Sequence, residues 1–222
     1  MSSYLNTLSQ EFKSNANAQI ALQQKAYMRY QFEYYGLKAP VRQSLQKPFL
    51  VKEYLPKNDQ LNELIKTLWE KPQREYQHFG QDLVFKYVKH FEQKDIALFE
   101  YMVIHKSWWD TVDFIANKLM GAYFKQFPEL RETYVKKWLQ SGNIWLQRSA
   151  LLFQLKYRQD LDTNLLSNTI NHLLGSKEFF INKAIGWVLR EYSRTNPQWV
   201  QTFVNNSSLS PLSKKEALRL LG

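Results

Sequence analysis

The segment Lys177-Glu-Phe-Phe-Ile-Asn-Lys-Ala-Ile-Gly-Trp-Val-Leu-Arg-Glu-Tyr192 decides the fold prediction, because it carries two distinct helical faces. Apolar residues recur in it at i, i+4, i+7 and i+11, the spacing of a buried helical stripe. These residues are Ile181, Ile185, Val188 and Tyr192. Three cations and a tryptophan repeat that spacing on another face, and they are Lys183, Trp187, Arg190 and Arg194. The segment predicts a helix over residues 178–194 with one packed and one basic face.

The rest of the chain also has a helical pattern, since its 7 glycines and 7 prolines are few and fall mostly at helix boundaries. The predicted helices cover residues 3–14, 17–35, 58–70, 73–90, 93–105, 107–120, 128–140, 143–157, 162–174, 178–194, 197–205 and 211–221. Gly36 ends the second helix and Pro40 opens the next. Helix pairs recur with a period of about 35 residues, which is typical of helical-repeat solenoids. The sequence therefore predicts an all-α superhelical solenoid of antiparallel helix pairs, forming a single domain over residues 1–222.

A solenoid of this kind places its basic helix faces on one surface. The second helices of successive pairs stack to form a concave groove. A basic groove holds a phosphate backbone through charge and counterion release, without reading base sequence. The candidate phosphate-binding residues are Arg148, Lys156, Lys183, Arg190 and Arg194. The alternative for each of them is an ordinary solvated helix face.

Composition favours a polyanionic partner and excludes several kinds of site. The 222 residues include 30 Lys and Arg against 20 Asp and Glu, which gives a net charge of +10 and favours nucleic acid over a membrane. The sequence has no cysteine. This excludes disulfides, thiolate nucleophiles and cysteine-ligated metals. The four histidines lack a metal-binding helical spacing, so we expect no metal and no cofactor. Because a signal peptide and a membrane-length apolar run are both absent, we expect a cytoplasmic protein.

A second segment, Ser107-Trp-Trp-Asp-Thr-Val-Asp113, suggests chemistry. Ser107 and Asp110 have the form of a capping box at a helix start, and Trp108 is expected to pack. Trp109 and Asp113 lie four residues apart and would share one helix face. A carboxylate in that position can stabilise a developing oxocarbenium ion or orient water, as in glycosidic bond cleavage. Two plainer interpretations remain open: core packing for Trp109, and an ion pair with a neighbouring arginine for Asp113.

Four segments carry a resemblance to a known family. They are Ser107-Trp-Trp-Asp-Thr-Val-Asp113, Asn143-Ile-Trp-Leu-Gln-Arg148, the segment from Lys177 to Tyr192, and Pro211-Leu-Ser-Lys-Lys-Glu-Ala217. Together they resemble the AlkD-type DNA alkylation repair enzymes over nearly the whole chain. The resemblance implies a solenoid of HEAT-like repeats with DNA in a cationic concave groove. It also implies excision of cationic N3- and N7-alkylated purines, such as 3-methyladenine and 7-methylguanine, by hydrolysis of the N-glycosidic bond.

The resemblance assigns roles to individual residues. Asp113 matches the catalytic carboxylate, and Trp109 and Trp187 match the aromatic walls of its cleft. Arg148 matches an arginine that contacts the DNA backbone near the lesion. The resemblance further implies excision without base flipping. Since no lysine occupies the matching cluster, it implies a monofunctional enzyme without lyase activity.

The N-terminal region resembles the part of the family that engages DNA, and Tyr27, Lys38 and Arg42 are the expected contacts there. The segment Lys38-Ala-Pro-Val-Arg-Gln43 departs from the polar, doubly arginine-bearing version typical of active members. The expected partner is double-stranded DNA carrying alkylated purines, with no membrane partner, and the expected state is a monomer. Two alternatives stay open: a DNA-binding paralogue that has lost excision, and a helical-repeat scaffold that binds a peptide.

Overall fold

The computed structural model describes residues 2–221, which form helices joined by short connections. In chain order the α-helices are α1 (Ser2–Ser14), α2 (Ala18–Tyr27), α3 (Ala39–Gln46), α4 (Asn58–Glu70), α5 (Arg74–Phe85), α6 (Ile96–Ile104), α7 (Trp109–Phe114), α8 (Gly121–Gln126), α9 (Arg131–Gln140), α10 (Ile144–Leu152), α11 (Thr163–His172), α12 (Phe179–Tyr192), α13 (Pro197–Asn206) and α14 (Pro211–Ala217). Within these residues no strand forms beyond an isolated bridge between Glu33 and Gln73, which confirms the all-α prediction. None of the helices described is long and apolar enough to cross a membrane.

The second helix is shorter than its sequence pattern predicts. The pattern predicts a helix over residues 17–35, but α2 ends at Tyr27. Arg29 and Tyr30 adopt left-handed backbone conformations with φ angles of 54° and 57°, so the chain turns there. Glycine is the usual residue in this conformation, and neither residue is glycine, so the sequence carries no ordinary sign of the turn.

The helix predicted over residues 107–120 is longer than expected. After α7 the chain passes through a π-helical segment, Ile115–Met120, and continues as α8 to Gln126. A π-helical turn pairs each N–H with the carbonyl five residues earlier, so it contains one residue more than an α-helical turn. The candidate residues Trp109 and Asp113 both precede this segment and therefore lie on ordinary α-helix.

Aromatic rings form much of the core in residues 2–90, the described part of the first of two compact units. Tyr4 of α1 packs against Phe49 with 5.6 Å between the ring centroids, and its hydroxyl donates to the Phe49 carbonyl at 2.8 Å. Phe12, two turns further along α1, packs on Tyr76 of α5 at 5.6 Å. Since an aromatic side chain buries about 150–250 Å², these rings supply a large share of the apolar contact in this unit.

A buried carboxylate orders the segment that leads into α3. Glu75 of α5 accepts the backbone N–H groups of Tyr35, Gly36 and Leu37 at 3.1, 3.0 and 3.1 Å. Three successive N–H groups around one anion form a nest, and Gly36 takes a φ of 88° within it. Lys38 follows directly and is the N-cap residue of α3. The Glu75 contact therefore fixes the start of α3 relative to α5.

The second unit, described over residues 91–221, packs its helices from neighbour to neighbour. Helix α10 contacts both α7 and α12, and α12 in turn contacts α14. Helix α9 contacts both α10 and α11. This stacking is that of a helical-repeat solenoid and confirms that prediction. It brings Asp113, Arg148 and the basic face of α12 onto neighbouring helices. The single domain over residues 1–222 stays a prediction.

Gly36→Ala is expected to lower the free energy of unfolding by about 2–5 kcal/mol. An L side chain in the left-handed region costs about 1–2 kcal/mol, and overpacking adds about 1–3 kcal/mol. A Cβ at Gly36 would lie 2.0 Å from the backbone oxygen of Asn17. Gly142→Ala is the control, since Gly142 has a φ of 68° but nothing within 4 Å of an added Cβ. Urea unfolding of the three proteins measures both effects, and equal losses in the two variants would contradict the steric argument.

Candidate active site

Asp113 and Arg148 form a bidentate ion pair between α7 and α10. The Arg148 Nε donates to Oδ1 of Asp113 at 2.7 Å, and Nη2 donates to Oδ2 at 2.9 Å. The Arg148 side chain is 4% exposed and the Asp113 side chain 17%. Two parallel bonds of this kind fix the plane of the carboxylate as well as its position. The neighbouring-arginine interpretation of Asp113 is therefore confirmed, and a catalytic role is compatible with it.

The remaining guanidinium nitrogen of Arg148 joins the pair to a third helix. Its Nη1 donates to the backbone carbonyl of Phe180, in the first turn of α12. All three nitrogens of the guanidinium are thus bonded to protein atoms. The contact between Arg148 and the DNA backbone stays a prediction, and in this structure Arg148 fixes Asp113 in place.

Three aromatic rings pack together beside this ion pair. Trp108 lies 5.2 Å from Phe180 and 5.8 Å from Trp145 between ring centroids, and Trp145 lies 5.0 Å from Phe180. The packing role predicted for Trp108 is confirmed. The Arg148 guanidinium lies 5.9 Å from the Phe180 ring centroid. Phe180 contacts Arg148 through both its ring and its carbonyl. The aromatic cluster therefore helps to fix the position of Arg148, which in turn fixes the position of Asp113.

Burial raises the pKa of the Asp113 carboxyl above its ordinary value. The hydrogen bonds and charge of Arg148 act in the opposite direction, and the nearby Asp110 adds a small further rise. The folded protein therefore binds this proton more tightly than the unfolded chain does. By linkage, the native state loses stability as the pH rises from the unfolded to the folded pKa of Asp113. Ionisation of this carboxyl therefore costs the folded protein stability.

Trp109 is the first residue of α7 and is half-buried, one turn before Asp113 on the same helix. The capping box predicted for this helix is wrong. The N-cap is Trp108 in place of Ser107, and the Trp108 side chain makes no capping hydrogen bond. The Ser107 hydroxyl instead donates to the carbonyl of Val103 at 2.6 Å, at the end of α6. A serine hydroxyl can satisfy either helix, and here it bonds the preceding one.

Trp187 lies half-buried on α12, seven residues after Phe180. Seven residues make about two helical turns, so the two side chains share one face of α12. Both α7 and α12 contact α10, which places Trp109 and Trp187 on the two helices beside Arg148. Their role as walls of a cleft stays a prediction. Within residues 2–221 no cluster of three or more His, Asp or Glu side chains could hold a metal ion.

The other four phosphate candidates of the second unit are each paired with a glutamate. Lys156 and Arg194 are exposed and form ion pairs with Glu191, with nitrogen–oxygen distances of 2.5 and 3.8 Å. Lys183 and Arg190 are half-buried and bond Glu216 of α14. The sequence pattern did not single out either glutamate. Glu191 belongs to the same helix as two of these cations, Lys183 and Arg190, and Glu216 lies in the closing segment that carried the family resemblance.

The first unit contains the three N-terminal candidates, and they differ in exposure. Tyr27 at the end of α2 is 73% exposed, and Lys38 before α3 is also exposed. Arg42 is buried, and its Nη1 donates to Gln46 at 2.7 Å and to Asp82 at 3.0 Å. DNA contact stays a prediction for all three. The structure presents Tyr27 and Lys38 to solvent and commits Arg42 to the protein interior.

Comparisons with known proteins agree on one family. A family model described as "DNA alkylation repair enzyme" matches residues 8–221. A solved structure, "Predicted DNA alkylation repair enzyme from Enterococcus faecalis", is similar to this chain at 35% sequence identity and a TM-score of 0.87. The match covers 93% of this chain and 97% of that one. A comparison with curated proteins found no match.

Arg148→Met is expected to lower the free energy of unfolding at neutral pH by about 3–5 kcal/mol, because it leaves a buried carboxylate unpaired. The deficit should shrink as the pH falls and Asp113 takes up a proton. The double variant Arg148→Met/Asp113→Asn removes the stranded charge and should recover part of the loss. Denaturant unfolding of the three proteins measures these differences. A double variant less stable than Arg148→Met would contradict the charge argument.

Proposed function

Because the chain belongs to the DNA alkylation repair enzyme family, we propose that it is a monofunctional DNA glycosylase. It hydrolyses the N-glycosidic bond of cationic N3- and N7-alkylated purines, such as 3-methyladenine and 7-methylguanine, in double-stranded DNA. The observation that carries the proposal is the Asp113 carboxylate, which two bonds from Arg148 hold in one plane on the helix that begins with Trp109. A charged group fixed in this way can stabilise charge that develops only in the transition state.

The chemistry needs little beyond this carboxylate. An alkylated purine already carries a positive charge, so the electron pair of the breaking C1′–N bond neutralises it as the base leaves. No strong general acid is required for that step. The deoxyribose becomes an oxocarbenium ion, which Asp113 stabilises electrostatically. A water oxygen then bonds to C1′, and its proton passes to Asp113 or to solvent.

Aromatic and basic residues supply the rest of the proposed site. Trp109 and Trp187 contact the sugar and the cationic base, since an indole face attracts positive charge. The DNA backbone is bound by cations and one exposed tyrosine, namely Tyr27, Lys38, Lys156, Lys183, Arg190 and Arg194. These contacts let the lesion react without being drawn out of the duplex into a pocket. The protein works as a monomer and without a cofactor.

One observation favours a second candidate, a DNA-binding paralogue without excision. Arg42 belongs to the segment that departs from the family's usual pattern, and it is buried against Asp82 and Gln46. Fewer arginines are therefore available at this end to engage a lesion. The release of base from damaged DNA separates the two functions.

The direct test is incubation with duplex DNA that contains 7-methylguanine. The wild-type protein is expected to release free 7-methylguanine and to leave the abasic strand uncleaved, as a monofunctional enzyme does. Chromatography measures the free base, and a denaturing gel measures strand cleavage. No release by folded protein that binds the same DNA would exclude the glycosylase and support the non-catalytic paralogue.

Asp113→Asn is expected to lose most of its excision rate while it keeps its affinity for DNA. The amide keeps the shape of the carboxylate but cannot stabilise a cation by charge, and charge-stabilising groups of this kind contribute about 10²–10³ in rate. Asp110→Asn, in the same turn of α7, is the matched control and should retain excision. Single-turnover release of 7-methylguanine measures the rates, and equal rates for wild type and Asp113→Asn would remove Asp113 from the mechanism.

Excision is expected to fall at acid pH with a midpoint above the ordinary aspartate value of about 3.9. Burial raises the pKa of Asp113, and the ionised carboxylate is the active form. Activity is therefore present above the raised pKa and is lost as the pH falls through it. Single-turnover rates, corrected for uncatalysed base loss, give the profile. An unchanged rate down to the ordinary aspartate pKa would contradict this assignment.

A further inference from the structure

The five cations of the second unit that were predicted to bind phosphate share one property. Each is already ion-paired with a carboxylate. Arg148 pairs with Asp113 inside the candidate active site. The other four form two groups, which we name the Glu216 cluster (Lys183, Arg190 and Glu216) and the Glu191 cluster (Lys156, Glu191 and Arg194). Carboxylates of the same unit therefore neutralise part of the positive charge of this basic face.

The Glu216 cluster is built by two helices around a buried carboxylate. The Glu216 side chain is 8% exposed, and it accepts from Lys183 Nζ at 2.5 Å and from Arg190 Nη1. Lys183 and Arg190 lie seven residues apart on α12, so they share one helix face about two turns apart. One carboxylate from α14 thus bonds both cations of that face. Exposed ion pairs contribute little to stability, but a buried carboxylate stays charged only with such partners.

Close packing of α14 on α12 holds Glu216 in this place. A Cβ added at Gly186, between the two cations on α12, would lie 2.5 Å from the Glu216 Cβ and 2.9 Å from the Ser213 carbonyl oxygen. The Ser213 hydroxyl also donates to the Asn182 carbonyl at 2.8 Å. Because glycine allows this approach, the backbone of α14 lies against α12. The packing of α14 on α12 therefore positions the Glu216 carboxylate between the two cations.

The Glu191 cluster repeats the arrangement in a more open setting. Glu191 of α12 accepts a hydrogen bond at 2.5 Å from Lys156, which lies in the chain segment after α10. Glu191 also lies 3.8 Å from Arg194. Its side chain is more exposed than that of Glu216, and both cations are exposed. Across the two clusters, four cations face two glutamates, which leaves a net charge of +2 in place of +4.

Carboxylate and phosphate oxygens bind the same ammonium and guanidinium donors. We propose that Glu191 and Glu216 are positioning residues that compete with DNA phosphates for these four cations. They thereby set the affinity and the salt dependence with which the protein binds undamaged duplex DNA. The inference rests on the proposed function, because it takes duplex DNA as the ligand. A phosphate that reaches Lys183 or Arg190 must share donors with a carboxylate already bound to them, so fewer counterions are released per contact.

The test compares Glu216→Gln and Glu191→Gln with wild type and with Glu132→Gln. Glu132 is an exposed glutamate of α9, a helix that carries none of the five cations. The Glu132→Gln variant therefore changes the net charge by the same amount as the other two glutamine variants but away from the two clusters. Fluorescence anisotropy with an undamaged duplex, over a series of salt concentrations, gives the slope of log affinity against log salt. Glu216→Asp keeps the charge and should keep the wild-type slope. Thermal unfolding checks that each variant is folded.

Each of the two glutamine variants should free about one additional phosphate contact, which steepens the slope by about 0.9. If affinities are equal at 1 M salt, that slope makes binding about fivefold tighter at 0.15 M salt. Glu132→Gln should follow the wild type. A merely structural role would change the unfolding temperature and leave the slope unchanged. Wild-type slopes in both glutamine variants, with the proteins folded, would overturn the proposal. The more exposed Glu191 keeps the test decisive should Glu216→Gln fail to fold.

The outcomes for this inference and for the proposed function are separable. Steeper slopes without release of 7-methylguanine would support the competition and exclude the glycosylase. Release of base with unchanged slopes would support the glycosylase and overturn the competition. No binding of duplex DNA by any of the proteins would overturn both.

Discussion

The ion pair between Asp113 and Arg148 is the interaction on which the arrangement of the candidate site depends. Arg148 bonds α7 through Asp113 and α12 through the Phe180 carbonyl, so one side chain fixes three helices. Two opposing effects act on the carboxylate: burial disfavours its charge, and the guanidinium favours it. Burial is the larger. Replacing a buried ion pair with apolar residues is often neutral or stabilising, so stability alone gives little reason to keep a charge here. The proposed glycosidic cleavage needs a fixed negative charge, and it would supply such a reason.

Features that repeat along one helix were predictable from the sequence. The stripe from Ile181 to Tyr192 shows its 3.6-residue period without any knowledge of neighbours, and α12 forms with that stripe buried. Helix boundaries were less predictable where an unusual local conformation or hydrogen bond sets them. Arg29 and Tyr30 end α2 in a conformation that glycine normally adopts. Ser107 fits a capping box, yet its hydroxyl bonds the helix before it. The boundary error comes from a left-handed turn without glycine, and the capping error comes from a hydroxyl that can bond either helix.

The candidate site was predictable as a set of chemical groups, and apart from an arginine partner for Asp113 its pairings were not. Spacing on α7 and α12 indicates which side chains share a face, and the family resemblance selects Asp113 and Arg148 among them. Two of the acceptors come from distant chain positions: Glu216 bonds Lys183, and Asp82 bonds Arg42. A pattern on one helix carries no information about such acceptors. A count of positive charges in the sequence therefore overstates the number of cations that can bind a ligand without first giving up a carboxylate partner.

The π-helical segment Ile115–Met120 has a consequence for how this helix can change over time. One additional residue in a turn rotates everything after it by about 100° relative to a continuous α-helix. The face that bears Trp109 and Asp113 and the face that buries Tyr123 and Phe124 in the core are therefore in different registers. A helical wheel drawn straight through residues 109–126 would align them incorrectly. An insertion or deletion within this segment would change the rotation between the face that bears Trp109 and Asp113 and the face that packs in the core.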